Sequence, residues 1–161
     1  PTRIDMAAHY DFNADWTGFL GYSFTQYSDE DRIALTGFPT AVIPTGEVDL
    51  PLGWTNMQNG RAALQYKIAE DFRLRAGYVF TSQVSSKAKA SPIIAAPGSG
   101  HTATLGMGIQ AMRTLWVDGA LEYSWDSGTV ATSDIPSGSA TAPGDYTARA
   151  YAIHLGVTTT F

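Results

Sequence analysis

The sequence contains no cysteine among its 161 residues. Disulfide scaffolds, thiolate zinc sites and cysteine nucleophiles are therefore excluded. Charge is also sparse, since Asp, Glu, Lys and Arg make up 16% of the chain, below the roughly 25% that is usual in soluble domains. The formal net charge of −5 comes without a basic stripe, which argues against a nucleic-acid partner.

Long hydrophobic runs are missing as well. No stretch approaches the roughly 18 apolar residues that a transmembrane helix needs. The chain also does not open with the charged and then apolar segments of a signal peptide. If the protein is exported, we therefore expect this chain to be a mature or shortened form.

What fills the sequence instead is an alternation of apolar and polar residues with period two, which is typical of strands with one apolar face. The alternation predicts seven strands, and the helical period is nowhere sustained. The strands are expected at residues 3–13, 16–27, 55–68, 72–82, 101–112, 115–126 and 146–161. The last strand ends on Phe161, which we expect to lie at a membrane interface.

The connections between these strands alternate between short and long. Tight turns are predicted at 13–15, 69–71 and 112–114, and long loops rich in Gly, Pro, Ser and Ala at 28–53, 83–100 and 127–145. Large aromatic residues lie near both ends of the apolar faces, as in the aromatic girdles of a membrane barrel. The pattern therefore predicts an all-β fold, an antiparallel up-and-down transmembrane β-barrel with the long loops outside the cell. The alternative is a soluble sandwich or small barrel whose apolar faces form a core.

The number of strands raises a problem of closure. Seven antiparallel strands leave the first and the last running in the same direction, so they cannot close an antiparallel barrel alone. An open edge cannot face lipid, because its backbone groups would be unsatisfied there. We therefore expect residues 1–161 to be a single segment of a larger barrel, its C-terminal part, completed by an N-terminal half or by another chain.

Two segments carry a family resemblance, HYDFNADWTGFLGYSFTQYS and WTNMQNGRAALQYKIAEDFRLRAGYVF, followed by a strand pair that ends on an aromatic residue. They resemble the C-terminal half of the FadL and TodX family of the bacterial outer membrane, which transports long-chain fatty acids or aromatic hydrocarbons. The resemblance implies a fourteen-stranded barrel with a hatch in its N-terminal half. It also implies passive transport of a hydrophobic small molecule, without cofactor or metal ion.

The predicted loop 28–53 is unusually apolar for a segment facing water, and exposed apolar patches often mark capture sites. Its candidate ligand contacts are Phe38, Ile43 and Leu50, together with Trp54 directly after it. The alternative is that the prolines of the loop fold these side chains over the barrel mouth, where they pack against each other.

Basic residues on the polar faces of the strands are the second group of candidates. Arg61 and Arg75 are candidate contacts for a ligand carboxylate, because a guanidinium binds a carboxylate through two parallel hydrogen bonds. The alternative is an internal ladder of ion pairs with Asp118, Glu122 and Asp126.

A catalytic site is not predicted. The three histidines are scattered and have no metal-ligand spacing, and no G-x-S-x-G nucleophile motif occurs. An enzyme is therefore a minor alternative. The main alternative to transport is a structural or adhesive barrel. Its loops 28–53 and 127–145 would bind a partner while the lumen is sealed.

Overall fold

The computed structural model describes residues 1–29, 32–42, 44–89, 97–137 and 141–159, without the side chains of Leu50 and Pro51. Within these ranges the strands are β1 (Arg3–Asp11), β2 (Trp16–Thr25), β3 (Arg32–Thr36), β4 (Glu47–Pro51), β5 (Met57–Ala69), β6 (Phe72–Thr81), β7 (Ser99–Met112), β8 (Leu115–Val130) and β9 (Gly144–Thr159). β1, β2 and β5 to β9 form one antiparallel sheet in chain order, with β3 and β4 as a separate hairpin. The predicted antiparallel meander is confirmed.

Most strand ends agree with the predicted ones to within two residues, and the exception is β8, which continues beyond residue 126 to Val130. The extension pairs with the start of β9, where Val130 lies opposite Gly144. It also runs beside the segment before β7, because a side chain on Gly98 or Gly128 would overlap the backbone of the other segment. The two segments therefore approach closely, and Val130 is buried at 2% exposure. Parts of the predicted loops 83–100 and 127–145 are therefore strand, since β7 begins at Ser99, β8 ends at Val130 and β9 begins at Gly144. Phe161 lies outside the described residues.

The largest departure from the predicted fold is the hairpin β3–β4, which lies inside the segment expected to be an irregular loop. Ile33, Leu35 and Val48 share one face of the hairpin by register. Arg32 and Asp49 lie on the other face, where Nη1 and Oδ2 are 2.6 Å apart. The prolines of this segment lie in the connection and at the end of β4, positions that tolerate a missing N–H. Because prolines usually indicate a loop, the short apolar alternation of the hairpin was not recognised as strand.

Side-chain chemistry fixes the first tight turn. The Asn13 side-chain oxygen accepts hydrogen bonds from the backbone N–H groups of Asp15 and Trp16, at 2.9 and 3.0 Å. Asn is favoured in turns for this reason, since its side chain takes the place of a backbone acceptor. The chain therefore reverses at once and begins β2 at Trp16.

The two faces of the sheet differ in character. The face that we call inner carries the charged residues Asp5, Arg61, Arg75 and Asp118, and the face that we call outer carries apolar side chains. Outer-face residues are strongly exposed, for example Leu155 at 85%. Among the described hydrophobic residues, Val130 alone is buried as a core residue would be. Backbone pairing therefore holds the sheet together, and its outer face needs lipid as a neighbour.

Both edges of the sheet are open within the described ranges, where β1 pairs with β2 and β9 with β8. Because every pairing is antiparallel, β1 and β9 run in the same direction. None of the described helices is long and apolar enough to cross a membrane. The edge strands thus present unpaired backbone groups to whatever lies beside them.

Candidate functional site

Arg61 lies on the inner face of β5 and reaches across β2 toward β1. Its Nη2 donates to the Ser23 Oγ at 2.8 Å and lies 3.5 Å from the Asp5 Oδ1. Gly21, opposite Arg61 on β2, makes this possible, since a Cβ there would stand 3.1 Å from the Arg61 Nε. Ser23 is 1% exposed, so one end of the guanidinium is fixed in a buried spot.

A second arginine binds the same carboxylate. Arg3 donates to both oxygens of Asp5, from Nε at 2.6 Å and from Nη2 at 2.9 Å. Two guanidinium groups therefore share one carboxylate, which leaves an excess positive charge in the cluster of Arg3, Asp5 and Arg61. The Arg61 side chain remains 44% exposed, so an anion in the lumen has access to it.

Arg75 lies on the inner face of β6 and has a different environment. Its Nη1 is 2.6 Å from the Asp118 Oδ1, and its Nε donates to the Gln65 Oε1 at 2.9 Å. This pair crosses β7, where Gly108 stands opposite Asp118 and a Cβ would lie 2.5 Å from that Oδ1. One arginine meets one carboxylate here, so the pair is neutral.

Residues of β7, β8 and β9 extend the inner-face polar network. Glu122 accepts a hydrogen bond from the Ser124 Oγ at 3.2 Å, and its other oxygen lies 3.1 Å from the His154 Nε2. The Asp126 Oδ1 is buried and has no partner among the described atoms. Of the three carboxylates expected to form a ladder of ion pairs, Asp118 pairs with an arginine, whereas Glu122 contacts His154.

The remaining basic residues of the neighbouring strands have other contacts. The Arg73 guanidinium carbon lies 3.6 Å from the centre of a Trp116 ring. Lys67 pairs with Glu70 at 2.8 Å, at the turn into β6. Across the described ranges, no three metal-ligating side chains come together.

The loop candidates are only partly brought together. Trp54 is half-buried, packs edge-on against Tyr27 at a ring distance of 5.6 Å, and pairs by a backbone bridge with Ser85. Phe38 follows β3 and is 37% exposed; no ring contact joins it to Trp54 in the described part of the chain. Ile43 lies outside the described residues, and so does the side chain of Leu50.

Hydrogen bonds and an ion pair tie the long connections to each other at this end of the sheet. The backbone N–H of Thr55 donates to the Val84 carbonyl at 2.7 Å. Lys87 and Asp134 approach to 3.8 Å across two connections. Sequence reasoning missed Ser23, Asp5 and the contact of Glu122 with His154; alternation places all of them on the inner face, which was the available signal.

A sheet with a charged inner face, an exposed apolar outer face and open edges defines part of the wall of a transmembrane β-barrel. Residues 1–161 match the family model described as "Outer membrane protein transport protein (OMPP1/FadL/TodX)". Because the match covers the whole sequence, the chain belongs to this family.

The crystal structure of a Pseudomonas aeruginosa FadL homologue has a similar fold, with a TM-score of 0.69 and 18% sequence identity. The similarity covers 96% of this chain and 33% of the homologue, so the chain spans about a third of that protein. No match to a curated protein sequence was found. The predicted family, barrel fold and outer-membrane location are confirmed, and the family consists of transport proteins rather than enzymes.

Proposed function

We propose that the complete protein carries hydrophobic small molecules, either long-chain fatty acids or aromatic hydrocarbons, passively across the bacterial outer membrane. The observation that carries this proposal is the match of the entire chain to a family of outer-membrane transport proteins. A sheet with a polar inner face and an apolar outer face is what such a conduit requires, because the lumen holds water and the outer face contacts lipid.

Capture is the first step that we propose, and it takes place at the hairpin β3–β4 and its connection. Ile33 and Leu35 are 45% and 39% exposed on the apolar face of the hairpin. Phe38 follows β3 in the chain and is also exposed. The other proposed contacts are Ile43, Leu50 and Trp54. Such a surface binds an apolar chain through the area that it removes from water.

Orientation of a carboxylate ligand is the second step, and we assign it first to Arg61. The excess positive charge beside Asp5 favours an anion, and an arginine offers two parallel hydrogen bonds to it. β5 runs from the long-loop end to the short-turn end, and its Gln65 lies opposite Arg75 of β6. Arg61 is four residues before Gln65 and therefore lies about 13 Å nearer the loops along the strand. An entering head group meets Arg61 first and Arg75 second.

The rest of the barrel is a required partner in this proposal, since open edges cannot face lipid. β1 and β9 run in the same direction, so an odd number of further strands must separate them in an antiparallel barrel. Seven additional strands, giving fourteen, meet this condition. They would come from an N-terminal half or from another chain.

Uptake by whole cells tests the proposal. A strain that lacks the complete gene is compared with the same strain carrying it, using radiolabelled oleate and radiolabelled ethylbenzene as separate probes. We expect the gene to raise the initial uptake rate of at least one probe, and the added rate to saturate with the outside concentration, because capture takes place at a binding site. Equal uptake of both probes in the two strains would contradict the proposal and would favour the adhesive alternative.

A further inference from the structure

The outer face carries an unusual group at the long-loop end of β7, β8 and β9. His101 is paired in register with Trp125, and Trp125 with Arg149. The three side chains therefore form a row across adjacent strands, with about 5 Å between neighbours.

This row lies at the boundary of the apolar band. Ala103, Tyr123 and Tyr151 form the next row toward the short turns, and Leu105, Leu121 and Ile153 form the row after that. Tyr and Trp are typical of the level where a membrane meets water. His101, Trp125 and Arg149 thus lie where the headgroups of the surrounding lipids begin.

Aromatic contacts fix the geometry of the row. The rings of His101 and Trp125 are stacked, with centroids 5.2 Å apart and an interplanar angle of 16°. The Tyr78 hydroxyl is 2.6 Å from the His101 Nδ1. When this hydroxyl donates, the proton of a neutral imidazole lies on Nε2, which is then available as a donor.

A positive charge distinguishes the row, since Arg149 is the one arginine or lysine on the outer face of the described sheet strands. Asp5, Arg61, Arg75 and Asp118 lie on the inner face, whereas Arg149 lies outward, exposed, and without an ion pair among the described residues. Asp145, the acidic residue nearest to it on β9, accepts a hydrogen bond from the Thr129 hydroxyl instead. The unpaired guanidinium of Arg149 and the imidazole of His101 lie on the two sides of Trp125. With the Tyr78 hydroxyl donating to Nδ1, both groups offer N–H donors that match the oxygens of a phosphate group.

We propose that His101, Trp125 and Arg149 form a site on the outer wall for the phosphate-bearing headgroup of a membrane lipid. Arg149 binds the phosphate, His101 donates a second hydrogen bond, and the indole of Trp125 lies between them at the level of the glycerol or sugar. The acyl chains extend along Tyr123, Tyr151 and the apolar rows below. This site is separate from the lumen and does not depend on what is transported.

Native mass spectrometry of the complete protein in detergent tests this site. Dioleoyl phosphatidylglycerol, uncharged dioleoylglycerol and inorganic phosphate are titrated separately against the wild type and against Arg149→Gln. We expect the wild type to prefer the phospholipid, and Arg149→Gln to weaken its binding about fivefold, as expected for one basic group at a charged interface. His101→Gln is expected to lower the same affinity by a smaller factor.

Arg73→Gln is the matched control, since it removes one positive charge from the inner face, where lipid has no access. It should leave phospholipid binding unchanged. Equal affinity of wild type and Arg149→Gln, or equal binding of the two lipids, would overturn the proposal. Inorganic phosphate that competes as strongly as the phospholipid would overturn it too, because the site would then bind a soluble anion.

Discussion

Arg61 and Arg75 lie on neighbouring strands of the same inner face, and each reaches across an intervening strand to a carboxylate. Their electrostatic surroundings nevertheless differ. Arg61 shares Asp5 with Arg3 and touches it at 3.5 Å, whereas Arg75 holds Asp118 alone at 2.6 Å. The first cluster keeps a positive charge for an anion, and the second pair is already neutral. Exposure alone would not separate them, since the two arginine side chains are 44% and 39% exposed.

The largest effect that we expect comes from Arg61→Gln, which removes the charge from the open cluster. Binding of oleate to the complete protein should weaken about tenfold, because a charge-assisted bidentate contact is replaced by neutral hydrogen bonds. Ethylbenzene has no carboxylate, so its binding should stay unchanged. Isothermal titration in detergent with both ligands measures this, and an equal loss for both would show that Arg61 acts on the structure of the site rather than on the carboxylate.

Arg75→Gln should affect stability instead, because it leaves Asp118 without its cation. We expect the unfolding free energy in lipid vesicles to fall by about 1 kcal/mol, a modest figure since the pair is partly exposed and screened. Urea unfolding followed by tryptophan fluorescence measures it, with Lys67→Gln at the exposed pair with Glu70 as control. If Arg75→Gln weakened oleate binding as much as Arg61→Gln, the distinction between the two arginines would be wrong.

The sheet itself was predictable because alternation reports directly on strands with two unlike faces. Arg61, Arg75 and Asp118 were each assigned to the correct face from the alternation alone. The hairpin β3–β4 was not predicted, since its strands are only five residues long and its prolines are the usual signal of a loop.

The ion pairs could be predicted only in part. Parity places Arg61 and Asp5 on one face, but their contact spans β1 and β5, which are separated by β2. The contact depends on Gly21, and that of Arg75 with Asp118 on Gly108. Which glycine stands between two charged residues follows from the register, and an isolated sequence does not give the register of long-range strand pairs.

Asp5→Asn gives the smallest expected effect and the one with the opposite sign. The substitution removes the carboxylate that Arg3 and Arg61 share, so both guanidinium charges become available to an anion. We expect oleate to bind about threefold more tightly, and more so at low salt, because the added attraction is electrostatic and is screened by ions.

Asp118→Asn is the matched control, because it removes the carboxylate beside Arg75, which lies deeper in the lumen than Arg61. If the proposed order of contacts is correct, Asp118→Asn should raise oleate affinity less than Asp5→Asn, since the head group is held at Arg61 first. Titrations of the wild type and both variants at two salt concentrations measure the difference, and a weaker affinity for Asp5→Asn would show that Asp5 holds Arg61 in its binding position rather than competing with the ligand for it.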